Sequence, residues 1–537
     1  FIADPIATIS RDIDGSFAIF CFDGSSDNLI VATDYNNSIP VYYARTASGW
    51  LFTSHELALA RCLKPDIDPV GLYYSVNLGL PWGSITRFAG LRKTTPCDVL
   101  RFGSTELLSQ LKTWDPREEE ICDRSFNDVL DRWKEVLKDS VSSFLRNAAD
   151  ESVVADITAG EDARLIIAQL HELGTPFSVQ VRGLDTDVDV IFARNAAKTL
   201  GLGLIDRRKC WISEEDLLSD VFRVVLDCDA YKDFTFSCID IATALENDID
   251  HFKNLKLGGV PGGEAFRGSY YMRGRALFPS RMVPLDHAFF TRLKFLLDMQ
   301  PGLFRYGDSD GLESVFDVVR NDLDSVRHLP VGTQIDHMVR MYQTSVSGMK
   351  YKAPLYMPLA TREMTRSVYY IPPKFKKGGR LTKACTELLY PELARMNTQK
   401  GVPTIRRTLL RTPLFVPEYL YATRSILSGA MSRLLKWKKA NKWYYNQDQN
   451  LYVFRALTNT SPYREWFRSK SSMLTGSQYS SKMIDDIIED ARSGPGKFLP
   501  LFGRIVNQEL AARWVMELYE SATPESDPVS SASNWRY

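Results

Sequence analysis

The stretch VVADITAGEDARLIIA, Val153 to Ala168, decides the fold. Val153–Thr158 reads as a short buried strand, and Arg164 onward reads as a helix. Between them lies a turn of small residues, Thr158-Ala159-Gly160, followed by Glu161 and Asp162 on the first helical turn. A helix start already presents bare N–H groups and a positive dipole end. Acids there are explained by capping alone, or by a phosphate site that also needs a metal.

Strands and helices alternate outward from this point. Arg164–Leu173 is a helix closed by Gly174, Phe177–Val181 a strand, and Phe192–Leu200 a helix closed by Gly201 ahead of the apolar Leu204-Ile205. Two strand–helix units in succession predict an α/β domain with a doubly wound parallel sheet. Upstream, Phe126, Val129, Leu130, Trp133, Val136, Leu137, Val141, Phe144 and Leu145 fall on one helical face. Downstream, Ser213-Glu-Glu-Asp216 is a capping box that opens another helix.

The first hundred or so residues are β-rich instead. Ser16–Phe22, Leu29–Thr33, Val41–Tyr43, Trp50–Thr53 and Val99–Phe102 predict an antiparallel sheet. Trp114-Asp-Pro-Arg-Glu-Glu-Glu120 marks a composition shift. The domains are therefore expected at 1–118, 119–400 and 401–537, the last mostly helical and ending in a frayed Ser/Pro-rich tail.

Composition narrows the function classes. Of 537 residues, 44% are hydrophobic, and Lys+Arg and Asp+Glu both number 66. Zero net charge argues against bulk nucleic-acid binding. No apolar run approaches the ~18–20 residues of a membrane span. The eight cysteines form no C-x-x-C pair and the six histidines no H-x-x-x-H pair, so a reduced, cytoplasmic protein without structural zinc is expected. The chain opens on Phe1 without Met, and residues upstream of it are expected.

A second glycine-rich segment, Gly258-Gly259-Val-Pro-Gly262-Gly263-Glu264-Ala-Phe266-Arg267-Gly268, again follows an apolar strand. It brings an acid, Glu264, and a guanidinium, Arg267, onto one turn. By itself such a segment is as readily a surface Ω-loop as a ligand site.

Together the two segments resemble the loops of the asparagine synthetase and β-lactam synthetase superfamily of ATP-pyrophosphatases. Thr158-Ala159-Gly160-Glu161-Asp162-Ala163 is similar to its S-G-G-x-D-S loop, and the second segment to G-x-G-A-D-E-L-F-G-G-Y. Ala159 and Ala163 depart from the first motif, and Gly263 stands where the second has its metal-binding Asp. Phe177–Val181 with Asp187–Gly201 resembles the base-binding strand and helix, with Val181 at the base. Ala353-Pro354-Leu355 resembles a V-P-F-L-D segment. Pro373–Ala394 resembles the stretch bearing a pyrophosphate-handling lysine, which falls on Lys383 with Lys376 or Lys377 as alternative registers. The front domain is similar to the back half of the family's Ntn-hydrolase-like glutaminase domain, through Ile13–Ala18, Thr33–Tyr43 and Thr53–Glu56. The amino-terminal cysteine nucleophile has no counterpart, and mid-strand Cys21 reads as core.

The resemblance implies an ATP- and Mg²⁺-dependent ligase that adenylates a carboxylate, releases pyrophosphate and passes the acyl group to an amine or ammonia. Its implied nucleotide-binding residues are Thr158, Ala159, Gly160, Glu161, Asp162, Ala163, Val181 and Gly259. Glu264, Lys383 and Arg267 are implied for catalysis, and Asp162 and Glu264 for the metal. Arg164 either touches phosphate or pairs with an acid; the pairing is the expectation. The partners implied are a small-molecule or peptide carboxylate and an amine, with a homodimer allowed. Two other readings compete. The three motif departures suit an inactive scaffold, and Lys436-Trp-Lys-Lys439 with Trp443-Tyr-Tyr445 suits an RNA-modifying enzyme, although such a segment is more often an amphipathic helix.

Overall fold

A computed structural model describes residues 2–77, 83–147, 152–183, 185, 187–208, 254–268, 321–338, 355–398, 401–406 and 499–516, with short pieces at 226, 229–231, 317, 413–414, 479–480, 482, 484–487 and 489. The capping box at Ser213, the Lys436–Tyr445 segment, Ala353-Pro354 and the C-terminal tail lie outside the described residues.

The chain begins with helix α1, Pro5–Asp12, whose N-cap Asp4 accepts from the Ala7 N–H at 2.9 Å. Strands β1 (Ala18–Asp23) and β2 (Asn28–Thr33) form a hairpin. Hairpin β3 (Tyr42–Thr46) and β4 (Gly49–Thr53) follows, then α2 (Glu56–Leu63) and α3 (Pro69–Asn77). The short β5 (Arg92–Lys93) precedes β6 (Asp98–Phe102) and β7 (Leu107–Lys112). The expected single antiparallel sheet is in fact two, ordered β1-β2-β6-β7 and β4-β3-β5. Alternation in a strand shows which face is buried but not which strand it pairs with, and β3 pairs with β4 and β5 rather than with β2.

The two sheets pack face to face. Val31, Tyr43, Leu100 and Phe102 interlock between them, with the rings of Tyr43, Trp50 and Phe52 each 4.9–5.2 Å from Phe102. On the other face of the larger sheet, Ile9 of α1 packs on Ile30, Ala32 and Val99, and Cys21 joins this layer as a packing residue. α2 packs on β3 and β4. The result is a helix–sheet–sheet–helix stack.

The second unit starts with α4, Phe126–Asn147, which buries Trp133, Leu137 and Val141 completely along the expected face. It continues as β8 (Ser152–Asp156), α5 (Glu161–Glu172), β9 (Phe177–Gly183), α6 (Val188–Leu200) and β10 (Gly203–Arg208). Gly174 and Gly201 follow α5 and α6 at φ of 65° and 67°, the left-handed geometry that ends helices on glycine. β11 (Asn254–Leu257) leads into a short helix α7 (Gly262–Ala265), and β12 (Leu355–Tyr356) closes a five-stranded sheet. Its order is β10-β9-β8-β11-β12, and every pairing is parallel. The chain therefore starts at the middle strand, moves outward through β9 and β10, then returns to the other side of β8. The C-terminal ends of β8 and β11 flank the point where the strand order reverses, which is where open α/β sheets bind ligands.

One sheet face joins the main core: Val153, Ala155, Val179, Val181, Leu255 and Leu257 pack with α4, α5 and α6. The other face carries Ser178, Gln180 and Lys256 together with the apolar Val154, and Gln180 Nε2 donates to Asp156 Oδ1 at 2.6 Å. Among the described residues β12 is followed by α8 (Arg362–Tyr370), α9 (Pro373–Lys376), α10 (Arg380–Leu389) and α11 (Pro391–Arg395). α10 packs along α5.

The expected boundary at Trp114–Glu120 is packed rather than extended into solvent. Trp114 Nε1 donates to Glu119 Oε1 at 3.0 Å, and its ring stands edge-on to Tyr369 of α8 at 5.0 Å. Arg366 donates to the same carboxylate at 2.6 Å. In the C-terminal region, α12 (Leu499–Val515) packs on α2 and α3. A buried polar network joins three distant segments there. Arg87 donates to Glu56 Oε2 at 3.1 Å and to Gln508 of α12 at 3.0 Å, lies 3.7 Å over the ring of Tyr231, and donates to the Asp229 carbonyl. The Asp229 carboxylate in turn accepts from the N–H groups of Glu56 and Leu57, both at 3.0 Å, at the start of α2.

Lys93 is buried near this network, and burial pulls its ammonium down to about 8 against the opposing attraction of Glu56. The folded-state value lies below that of the unfolded chain, so the unfolded state binds more protons between about pH 8 and 10.4. Stability relative to Lys93→Met should therefore rise across that interval, by up to about 3 kcal/mol, and be flat below pH 8. Urea titrations of both proteins from pH 7 to pH 10.5 measure this difference.

Candidate functional site

The two glycine-bearing loops meet at the reversal point. A Cβ on Gly259 would lie 2.6 Å from the Asp162 carbonyl carbon and 2.7 Å from the Ala163 nitrogen. One on Gly262 would lie 3.0 Å from Asp162 Cβ, and one on Gly263 would run into the Arg267 guanidinium and sit 2.8 Å from Asp162 Oδ2. Backbone cannot yield as a flexible side chain can, so glycine at 259 is what lets the second loop lie against the first turn of α5. Phe266, fully buried, holds the second loop from beneath by packing on Trp133 at 5.2 Å.

Two acids and two bases converge there. Asp162 Oδ2 pairs with Arg267 at 3.1 Å, and Glu161 Oε1 pairs with Lys383 at 3.2 Å. Lys383, in the first turn of α10, also donates to the Gly378 carbonyl at 2.9 Å. Gly378 and Gly379 both have left-handed backbones, at φ of 68° and 71°, and the turn they form delivers α10 to Glu161. A Cβ on Gly379 would strike Glu161 Oε2. The Gly379 N–H donates to the Arg267 carbonyl at 3.0 Å, so the segments bearing the two cations are bonded to each other.

The three lysine registers separate in space. Lys383 stands in the site. Lys376 is fully buried elsewhere, paired with Asp336 at 2.6 Å and donating to the Val368 carbonyl at 2.6 Å. Lys377 is exposed at the turn.

The first loop differs from the expected open cradle. The Ala159 N–H donates to Asp189 Oδ1 at 2.8 Å, and the Gly160 N–H to Thr158 Oγ1 at 3.1 Å. Two of the loop amides expected to face an anion are thus satisfied internally. The charge available to one comes instead from Lys383, Arg267 and the start of α5, whose N-cap Gly160 supplies no side-chain cap. Ala163 is buried, as is Val181, whose side chain faces the core; a base could meet only its backbone.

Among the described residues Arg164 makes no hydrogen bond to an acid, so the expected pairing is not found. It is fully buried and donates to the carbonyls of Met396 (2.6 Å), Asn397 (3.0 Å) and Ala159 (3.3 Å) and to Thr404 Oγ1 (2.6 Å), with its guanidinium 4.1 Å over Phe192. Burial draws it down to about 10 in spite of Glu161 and Asp189. It is a clamp that fastens Met396-Asn397 and Thr404 to the loop. Glu264 sits in α7, but its side chain lies outside the described residues. Asp189 is a site residue that sequence reading missed. Burial raises its pKa while the bond from Ala159 opposes the rise. Its signal was modest: an acid in the first turn of the helix that follows the neighbouring strand.

No protein-family model matches the chain, and no curated protein is similar enough to count as a match. The site therefore stands on its geometry. An open cavity of about 390 Å³ lined by Cys122, Pro330, Pro372 and Lys374, among others, shares no residue with it.

Glu161 and Asp162 offer hard oxygen donors of the kind a magnesium ion takes. Glu161 Oε2 and Asp162 Oδ1 are buried acceptors to which no hydrogen bond is made. Among the described residues no group of three or more His, Cys, Asp or Glu side chains is placed to hold a metal ion.

Gly259→Ala should wedge the loops apart. It is expected to cost about 1–3 kcal/mol in denaturant unfolding. The intrinsic fluorescence of Trp133, packed under Phe266, is expected to change with it.

Proposed function

We propose that the chain is an ATP-dependent carboxylate–amine ligase, adenylating a carboxylate with release of pyrophosphate and transferring the acyl group to an amine or ammonia. One observation carries this reading: at the reversal point of a parallel sheet, a glycine-enforced contact sets two acids and two bases around a helix start. A polyphosphate with a divalent cation needs that combination, cations for its oxygens and carboxylates for its metal. The resemblance of both loops to the asparagine synthetase superfamily supports it, as does the helix–sheet–sheet–helix layering of the front unit, which suits a degenerate Ntn-hydrolase-like glutaminase domain. The second unit would then be the ATP-pyrophosphatase domain.

In this scheme Lys383 and Arg267 neutralise the charge that develops as pyrophosphate separates, an electrostatic role worth most in a partly buried site. Asp162, with Glu161 beside it, would hold Mg²⁺, whose contribution is to draw negative charge off the phosphate oxygens. Glu264 would assist as a metal ligand or as base toward the amine. Arg164 fixes the loop without touching the substrate, and Asp189 holds the Ala159 amide so that the turn keeps its shape. A cytoplasmic setting and a homodimer are consistent with this scheme and are part of the proposal.

A catalytically silent scaffold is the competing reading, favoured by the internally satisfied amides of Ala159 and Gly160. Incubation with ATP, Mg²⁺ and a library of carboxylates decides between them. Pyrophosphate should be released with at least one acid, and Lys383→Ala should lower the rate by about 10²-fold. Failure of the wild-type chain to bind Mg²⁺–ATP in calorimetry overturns the ligase.

A further inference from the structure

Both acids of the first turn are already neutralised by the cations the reaction would use. Glu161 holds Lys383 at 3.2 Å and Asp162 holds Arg267 at 3.1 Å, in a region where Lys383 is 5% exposed and Glu161 14%. The pairs are not independent. Arg267 and the Gly378-Gly379 turn under Lys383 are joined by the Gly379 N–H bond to the Arg267 carbonyl, and both cations abut adjacent residues of one helical turn. The missing side chains at 263 and 379 leave the room in which each pair forms: a Cβ at 263 would displace the guanidinium, and one at 379 would displace Glu161.

We propose that Glu161 and Asp162 are exchangeable counter-ions. In the empty site they hold Lys383 and Arg267. When a polyphosphate arrives with Mg²⁺, its oxygens take the two cations and the carboxylates take the metal. Charge is conserved in the exchange: two internal ion pairs give way to cation–phosphate and carboxylate–metal contacts. A polyphosphate arriving without metal gains no such exchange. It must compete with two acids for the same cations while facing their negative charge. Nucleotide and metal are therefore coupled ligands, each raising the affinity of the other, and Glu161 is a specificity-determining residue for the metal-bound form. This inference rests on the ligase reading for the identity of the ligand, but its signature is separate from catalysis.

The test is calorimetric binding of ATP and of inorganic tripolyphosphate, each with Mg²⁺ and each with EDTA, to the wild-type chain and to Glu161→Gln, Asp162→Asn and the double variant. The amide side chains are near-isosteric, and near-UV circular dichroism checks the fold. Wild type should bind both ligands at least about 10²-fold more tightly with Mg²⁺, a factor within the usual range of coupling between sites. Removing the acids should invert the pattern: metal-free binding should tighten by about tenfold in the double variant, and Mg²⁺ should cease to help. A control, Lys383→Gln, should weaken metal-free binding. If the folded double variant binds metal-free polyphosphate no better than wild type, the exchange is wrong even where wild type binds Mg²⁺–ATP well. If wild type binds neither ligand in either condition, the ligase reading falls with it.

Discussion

The contact between Gly259 and the backbone of Asp162 and Ala163 sets the position of everything else in the site. A parallel sheet places loops at the carboxyl ends of its strands, but it does not force neighbouring loops to touch. Touching requires that one of them lack a side chain at the meeting point. With that contact made, Arg267 falls within reach of Asp162, and its carbonyl is placed to receive the Gly379 N–H. The latter bond brings α10, and Lys383 with it, over Glu161. Four groups of alternating sign are thus organised by an absence of atoms at 259, 263 and 379.

Beneath this contact the support is apolar, and beside it polar. Trp133 and Phe266 hold the second loop from the core side, where dense packing resists displacement. Arg164 holds the first loop from the other side through carbonyl groups of the 396–397 segment and the hydroxyl of Thr404. A buried guanidinium satisfied by carbonyls costs desolvation that an apolar residue would not. It provides directional contacts to three segments at once, which an apolar side chain could not.

Much of this architecture was legible in the sequence. Period-3.6 patterning fixed α4, and the strand–helix alternation from Val153 to Ile205 fixed the parallel sheet, because a parallel strand needs a crossover and helices are the usual one. Gly174 and Gly201 ended their helices as read. The separation of the front strands into two sheets was not legible, since pairing partners leave no mark on alternation. Nor was the interior role of Arg164. A charged residue beside a candidate phosphate loop suggests contact with phosphate or pairing with an acid, and only the placement of Met396, Asn397 and Thr404 reveals otherwise. The choice among Lys376, Lys377 and Lys383 likewise depended on where the two glycines bend the chain.

A carboxylate at 263 would add negative charge beside Asp162 and occupy the space the Arg267 guanidinium fills. Glycine there leaves that space to a base rather than an acid at the mouth of the loop. Ala163 is buried, and its nitrogen lies beside Gly259, so a small apolar residue suits the contact. Gly263 and Ala163 serve one arrangement: the loops lie close, and two side-chain cations sit over the helix start where the loop amides are committed to Asp189 and Thr158. In a site so arranged, the two cations over the helix start are already held by the site's own acids, Glu161 and Asp162.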